Sequence, residues 1–260
     1  MKGVLYYFSG TGNTKWVADR FKESFKLYDI NIDLVNIESA EEISIKPYNF
    51  FIIGSPVHAE AAPKIVDDFL GRLPKEESRL RAIVYSTQGA KSAAAASIVS
   101  KKLEQKGYNV IIQSNIAMPN NYYFGVGRLP TENMQKKMLE EAVEKVEILT
   151  KNFIENKHIK ECNSLFRRVI GKVSEKAYRS MLPKLSKNIT STKECSKCGL
   201  CLRNCPKGNI TFENGHAIFH SNCILCLRCI HICPINAITY KGKKINQIQK
   251  ERAKSLNLNK

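Results

Sequence analysis

Between Cys195 and Pro234 the chain repeats itself. Cys195, Cys198, Cys201, Cys205 and Pro206 recur 28 residues later as Cys223, Cys226, Cys229, Cys233 and Pro234. The match runs past the prolines, because Ile210-Thr211-Phe212 returns as Ile238-Thr239-Tyr240. Two copies are too few for a solenoid, so the repeat implies a compact domain with pseudo-twofold symmetry. Asn214-Gly215, set between Ile210–Phe212 and Ala217–Phe219, predicts a tight hairpin within it. Eight of the nine cysteines in the 260 residues lie in this repeat, and none lies in residues 1–161. Clustered free thiols of this kind point to metal binding in a reducing compartment, and the cytoplasm is the expected location.

Each copy reads C-x2-C-x2-C-x3-C-P. Zinc knuckles use paired C-x2-C units and need no third cysteine at the next interval. Disulfides among cysteines two residues apart would be strained. The run is instead that of bacterial two-cluster iron–sulfur domains, and residues 190–243 resemble bacterial-type ferredoxins carrying two [4Fe–4S] clusters. The resemblance implies that three thiolates of one copy join the fourth of the other. The ligand sets are then Cys195, Cys198, Cys201 with Cys233, and Cys223, Cys226, Cys229 with Cys205. It also implies one-electron transfer at low potential. Cys162 stands outside the pattern and reads as a buried or linker thiol.

Residues 1–156 have a different grammar. Short apolar runs at 3–8, 31–36, 50–54, 81–86 and 110–116 predict five strands. Between and after them, helical spacing marks residues 14–27, the stretch between Pro63 and Pro74, 93–105 and 134–153. Such alternation predicts a parallel sheet with helices on both faces, whose ligands sit beyond the carboxyl ends of the strands.

Ser9-Gly10-Thr11-Gly12-Asn13-Thr14 follows the first strand and opens the first helix. Glycines permit the tight turn, while hydroxyls and helix N–H groups converge on an anion. A Walker A loop would need Gly-Lys-Ser/Thr at its end, and a dinucleotide loop a third glycine where Lys15 stands. What remains is a hydroxyl-rich loop suited to a terminal phosphate monoester. It resembles the FMN phosphate loop of flavodoxins, of the form Thr/Ser-x-Thr-Gly-x-Thr, and so implies FMN.

The resemblance places two flavin-ring loops at Ser55-Pro56-Val57-His58 and at Thr87-Gln88-Gly89. Asn121 and Tyr122, after the fifth strand, are candidates for a further edge, although an aromatic cluster there also suits a core. His58 reads either as a solvated loop histidine or as a proton donor to reduced flavin. The loop after Gly54 lacks the tryptophan that often stacks on the flavin; the single Trp16 is in the first helix.

Taken in order, a flavodoxin-like FMN domain (1–156), a basic helical linker (157–193), a two-cluster ferredoxin domain (194–240) and a basic tail (241–260) resemble the flavodoxin–ferredoxin fusion family found largely in anaerobes. The expected fold is α/β: a flavodoxin-like five-stranded parallel sheet in the order 2-1-3-4-5, with a C-terminal α+β two-cluster ferredoxin domain. The implied function is electron transfer between two [4Fe–4S] clusters and FMN, linking one- and two-electron carriers. An FMN-dependent reductase of a small organic acceptor is the alternative, so the chain is an electron carrier or an oxidoreductase. No acid–base pair with a recognisable spacing supports the latter, and no catalytic residue is assigned.

The net charge of +17 first suggests nucleic acid or a membrane surface. Fourteen of those charges lie in 157–193 and 241–260, outside both cofactor domains. In 157–193, Phe166, Val169, Ile170, Val173, Ala177 and Met181 recur at helical spacing and predict a basic amphipathic helix. No nucleic-acid signature appears, and no eighteen-residue apolar run supports stable membrane insertion. The expected partner is a redox protein, an acidic one by charge complementarity, and the chain is compatible with a homodimer.

Overall fold

The five apolar runs form adjacent parallel strands in a computed structural model that describes residues 1–89, 94–161 and 165–256. The chain divides into two compact units. The first comprises residues 1–9, 13–120 and 130–175; the second comprises 10–12, 121–129 and 176–260.

The first unit alternates strand and helix: β1 (Lys2–Tyr7), α1 (Asn13–Lys26), β2 (Asn31–Asn36), β3 (Phe50–Pro56), α2 (Lys64–Arg72), β4 (Arg81–Gln88), α3 (Ala95–Gln105), β5 (Asn109–Ala117), α4 (Glu132–Ile154) and β6 (Ile159–Lys160). Helices cover the sheet, so β1, β3 and β4 are buried almost throughout, as in parallel sheets generally. Val17, Ala18, Phe21 and Phe25 of α1 pack with Phe50, Ile52, Tyr85, Val146 and Phe153 in one core. Gly3 sits so close to the Phe50 ring that a β-carbon there would clash. Ala93, expected to start the third helix, lies outside the described residues.

The sheet order is β2-β1-β3-β4-β5-β6, the expected order with a sixth strand added. β6 pairs in parallel with β5 through Ile112↔Ile159 and Gln113↔Lys160, within the segment read as linker. Two residues carry no alternation that a sequence can display. A neighbouring carboxylate pins them instead: Glu161 accepts from Ser114 Oγ at 2.7 Å and Asn115 N at 2.8 Å, and pairs with Lys145 Nζ at 2.6 Å.

α5 (Leu165–Ser186) is the expected basic helix, its residues up to Glu175 counted with the first unit and the rest with the second. Its described apolar stripe from Val169 to Met181 is not its buried face. Val169, Val173 and Met181 are 61%, 65% and 52% exposed, while Tyr178, Leu182 and Leu185 pack against the core of the second unit. Periodicity finds an apolar face; which face is covered depends on neighbours. Cys162 and the side chains of Phe166 and Ile170 lie outside the described residues.

The second unit contains β7 (Ile189–Ser191), α6 (Leu200–Arg203), β8 (Ile210–Glu213), β9 (His216–Phe219), α7 (Arg228–Ile232), β10 (Ile238–Tyr240), β11 (Lys243–Lys244) and α8 (Lys250–Lys254). β8 and β9 form the predicted hairpin, with both turn residues, Asn214 and Gly215, left-handed. β11-β10-β7 make a small antiparallel sheet. Among the described residues no helix is long and apolar enough to cross a membrane.

Candidate cofactor sites

The 28-residue period is built into the backbone. Lys197, Gly199 and Gly208 have positive φ, and so do Leu225, Leu227 and Asn236, their counterparts in the second copy. These left-handed residues curl each C-x2-C-x2-C run into a loop that ends in a short helix, α6 or α7. The thiols thereby face inward on cavities.

One cavity is lined by Cys195, Cys198, Cys201 and Cys233, with Phe212, Ala217 and Ile238. The other is lined by Cys205, Cys223, Cys226 and Cys229, with Ile189, Ile210 and Phe219. They enclose about 330 and 370 Å³ of space, counting their mouths. The fourth cysteine of each copy thus reaches the cavity of the other copy's first three. Among the described residues no three Cys, His, Asp or Glu side chains close on one point as a single ion requires; the thiols stand around a volume.

Backbone amides point at the sulfurs with the same period. Asn209 N donates to Cys205 Sγ at 3.3 Å and Ala237 N to Cys233 Sγ at 3.2 Å; Leu225 N adds a bond to Cys223 Sγ at 3.3 Å. Such bonds stabilise charge on a ligating sulfur. Without a cation, burial pushes the thiols up: Cys201 to about 11, Cys226 to about 12, and Cys229 well above its ordinary value. Bound positive charge would hold these buried thiols as thiolates, and four cysteines around each apolar cavity fit an iron–sulfur cluster.

The phosphate-type loop is shared out between the units. In the first, Ser9 and Thr14 are buried, and Thr14 Oγ1 lies 2.8 Å from Thr87 Oγ1. Tyr85 Oη donates to Thr14 O at 3.0 Å and Asn13 Nδ2 to Pro119 O at 3.0 Å. Val57 N donates to Thr87 O, and Met118 N to Gln88 O. The ends of β3, β4 and β5 and the start of α1 are therefore tied together. Ser55 is buried and Pro56, Val57 and His58 are half-buried. A tight turn from His58 to Ala61 holds Ala59 and Glu60 at φ 46° and 74°. Gly89 packs on the Asn120 side chain, where an added β-carbon would lie 2.8 Å away. Lys15 pairs with Asp19 at 2.8 Å, so its charge is engaged along α1.

In the second unit, Gly12 turns with φ +99° and Thr11 Oγ1 accepts from Asn121 Nδ2 at 2.7 Å. Tyr122 Oη lies 3.1 Å from Tyr240 Oη, and the Tyr122 ring stands edge-on to Phe124 at 5.0 Å. Tyr122 therefore belongs to the aromatic side of the cysteine domain's core. Neutral hydroxyls, glycine turns and a helix start fit a phosphate monoester.

Sequence reasoning passed over Arg228. Its side chain is 2% exposed, donating from Nε to Gly10 O at 3.1 Å and from Nη1 to Asn204 O at 2.9 Å. The repeat itself held the signal, because Arg228 stands where the first copy has Leu200. Arg252, whose main chain lies beside Gly12, falls outside the repeat and carried no such mark.

Residues 4–145 match the family model described as a flavodoxin domain, and residues 194–237 match that of a 4Fe-4S dicluster domain. Among curated proteins the chain has no match. Similar solved structures include a flavodoxin from the domain Archaea, at 16% identity and TM-score 0.43, covering 58% of this chain and 98% of that one. Oxidised Flavodoxin 2 from Bacillus cereus matches at 21% identity and TM-score 0.46, covering 60% and 99%. Rubredoxin oxygen:oxidoreductase from Desulfovibrio gigas matches at 17% and 0.44 over 60% of this chain, which spans only 36% of that longer protein.

Proposed function

The chain belongs to the flavodoxin family through residues 4–145 and fuses to it a 4Fe-4S dicluster domain, and from that premise we propose that it passes electrons, one at a time, between an external carrier and its own flavin. It is an iron–sulfur flavoprotein of electron transfer, with FMN and two [4Fe–4S] clusters as cofactors. When bound, each cluster supplies a one-electron centre and FMN a centre for one or two.

Two sets of four cysteines drawn three-plus-one from the two copies carry this reading. We assign Cys195, Cys198, Cys201 and Cys233 to one cluster, and Cys223, Cys226, Cys229 and Cys205 to the other. Ser9 to Thr14 take the flavin phosphate. Residues 55–58 and 87–89 border the ring. The organic-reductase alternative loses support from Tyr122, whose hydroxyl and ring are engaged by Tyr240 and Phe124.

Anaerobic reconstitution tests the proposal: flavin and iron are counted, the clusters are reduced, and flavin absorbance is followed by stopped flow. Bleaching of the flavin on the heels of cluster reduction supports transfer. Flavin that stays oxidised beside reduced clusters refutes it.

The external carrier is proposed to be acidic. Lys241 and Lys243 are exposed, and Lys244 is held by Glu194 at 2.5 Å. Replacing Lys241 and Lys243 by Gln should flatten the salt dependence of reduction by an acidic ferredoxin. An unchanged salt slope would place docking elsewhere. Thiol clusters suit a reducing compartment, and the cytoplasm is the proposed location.

A further inference from the structure

Resting on the flavin reading above, we propose that Arg252, from the C-terminal tail, is the counter-charge for the flavin phosphate on the loop Gly10–Gly12. The loop itself contains no cation. Within the second unit, however, two arginines lie against it: Arg228 Nε donates to Gly10 O at 3.1 Å, and the Arg252 main chain packs on Gly12. Gly10 approaches the Cys226 backbone so closely that an added β-carbon would lie 2.5 Å from its carbonyl oxygen. At Gly12 the same position is taken by the main chain and Cβ of Arg252, so the arginine side chain starts directly beside the loop.

Three observations mark an anion's place here. First, Arg252 is partly buried, yet its guanidinium meets only neutral acceptors, Gln249 Oε1 at 2.6 Å and Ile248 O at 3.4 Å. Among the described residues no carboxylate pairs with it. Glu251, its neighbour in α8, is turned to Lys254 at 2.8 Å. A cation taken from water without a counter-ion is costly, and burial already pulls its proton affinity down.

Second, His231 is fully buried, and neither ring nitrogen makes a hydrogen bond. Asn121 holds Thr11. A buried imidazole without a hydrogen bond and an arginine without a carboxylate therefore belong to the same unit as the Gly12 turn, with the Arg252 main chain directly against that turn.

Third, the tail is anchored where it lies. Gln249 is fully buried, Ala253 and Leu256 are 1% and 6% exposed, and Gln247 Nε2 donates to Ile230 O and Cys233 O at 2.6 and 2.7 Å. A guanidinium presents planar paired donors that match phosphate oxygens. The phosphate would then be held by a cation some 240 residues away in sequence from Gly12, in addition to the neutral donors of the loop.

The test compares FMN with riboflavin, which has the same ring and ribityl chain but no phosphate. Cluster-loaded, flavin-stripped protein is titrated anaerobically with each, following flavin fluorescence, for wild type, Arg252→Gln and Arg252→Lys. Iron content and cluster absorbance check that the variants keep their fold. The expected result is at least tenfold weaker FMN binding in Arg252→Gln, about 1.4 kcal/mol, with riboflavin within twofold of wild type and partial recovery in Arg252→Lys. The salt dependence of FMN affinity should shrink in Arg252→Gln. Unchanged FMN affinity overturns the proposal, as does equal weakening of both ligands, which would mean Arg252 only supports the fold. A wild type that binds neither flavin overturns the flavin reading, and the proposal with it.

Discussion

Leu227 shows two local rules in conflict. It holds φ 62°, where its counterpart Gly199 holds 73° without a side chain to strain. The left-handed region costs a non-glycine residue roughly 1–2 kcal/mol. Leu227 is nevertheless 3% exposed within the domain core, and burying a leucine returns about 1.5–3 kcal/mol. Burial wins by a narrow margin. Leu227→Gly should therefore destabilise the domain by only about 1 kcal/mol, well below the 2–5 kcal/mol of an ordinary buried leucine truncation, as read from denaturant midpoints. A loss at the upper end of that range would mean that the strain is negligible.

A second residue-scale network sits at the edge of the parallel sheet. Lys2 Nζ lies 2.6 Å from Asp33, and Tyr48 Oη donates to the same carboxylate at 2.8 Å. The bond from Lys2 holds the Asp33 carboxyl below its ordinary range; burial first, then Asp33, pushes the Tyr48 phenol up to about 12. Below about pH 4 the unfolded chain takes up a proton at Asp33 before the folded one does, so stability falls as pH drops. Between pH 10 and 12 the unfolded Tyr48 ionises first, so stability falls as pH rises. Asp33 and Lys2 are 42% and 50% exposed, which keeps the acid limb under about 1 kcal/mol. Asp33→Asn should flatten the acid limb and reduce the alkaline one in urea midpoints measured across pH. Unaltered limbs would show that the network does not titrate with folding.

Among the elements, β6 is flanked by one carboxylate that ties it to β5 and α4. Glu161 engages Ser114, Asn115 and Lys145, while its own carbonyl accepts from Gln113 Nε2 at 2.8 Å. Glu161→Ala removes the side-chain bonds and should raise hydrogen exchange at Ile159–Lys160 at least tenfold, leaving exchange in β1 and β3 unchanged. Equal protection in both proteins would assign β6 to backbone pairing alone. The contrast with the main strands explains what was legible in the sequence. Runs such as Phe50–Gly54 announce themselves because every residue is apolar and both faces are covered. The cysteine period is legible because ligand spacing follows the shape of a cluster. β6 is too short for a pattern, and α5 shows the opposite failure: its stripe at Val169, Val173 and Met181 has helical spacing, but the core takes Tyr178, Leu182 and Leu185. Arg252 was illegible because nothing local distinguishes it from the other charges of the tail.

At the scale of the whole molecule, the placement of Gly10–Gly12 in the unit of residues 176–260 governs the order in which the protein can be made. These three residues leave the ribosome more than 200 residues ahead of Cys226, Arg228 and Arg252, which they pack against. The sheet can close early, because β1 to β5 lie within the first 117 residues, but the loop must wait. Cys226 and Arg228 also line a cluster cavity, so cluster insertion should come before flavin capture. FMN added to the full-length apo-chain before iron and sulfide should wash out on gel filtration, whereas FMN added afterwards should remain. Equal retention in either order would free maturation from this sequence of events. A loop made well before its partners is, on this account, finished only after them.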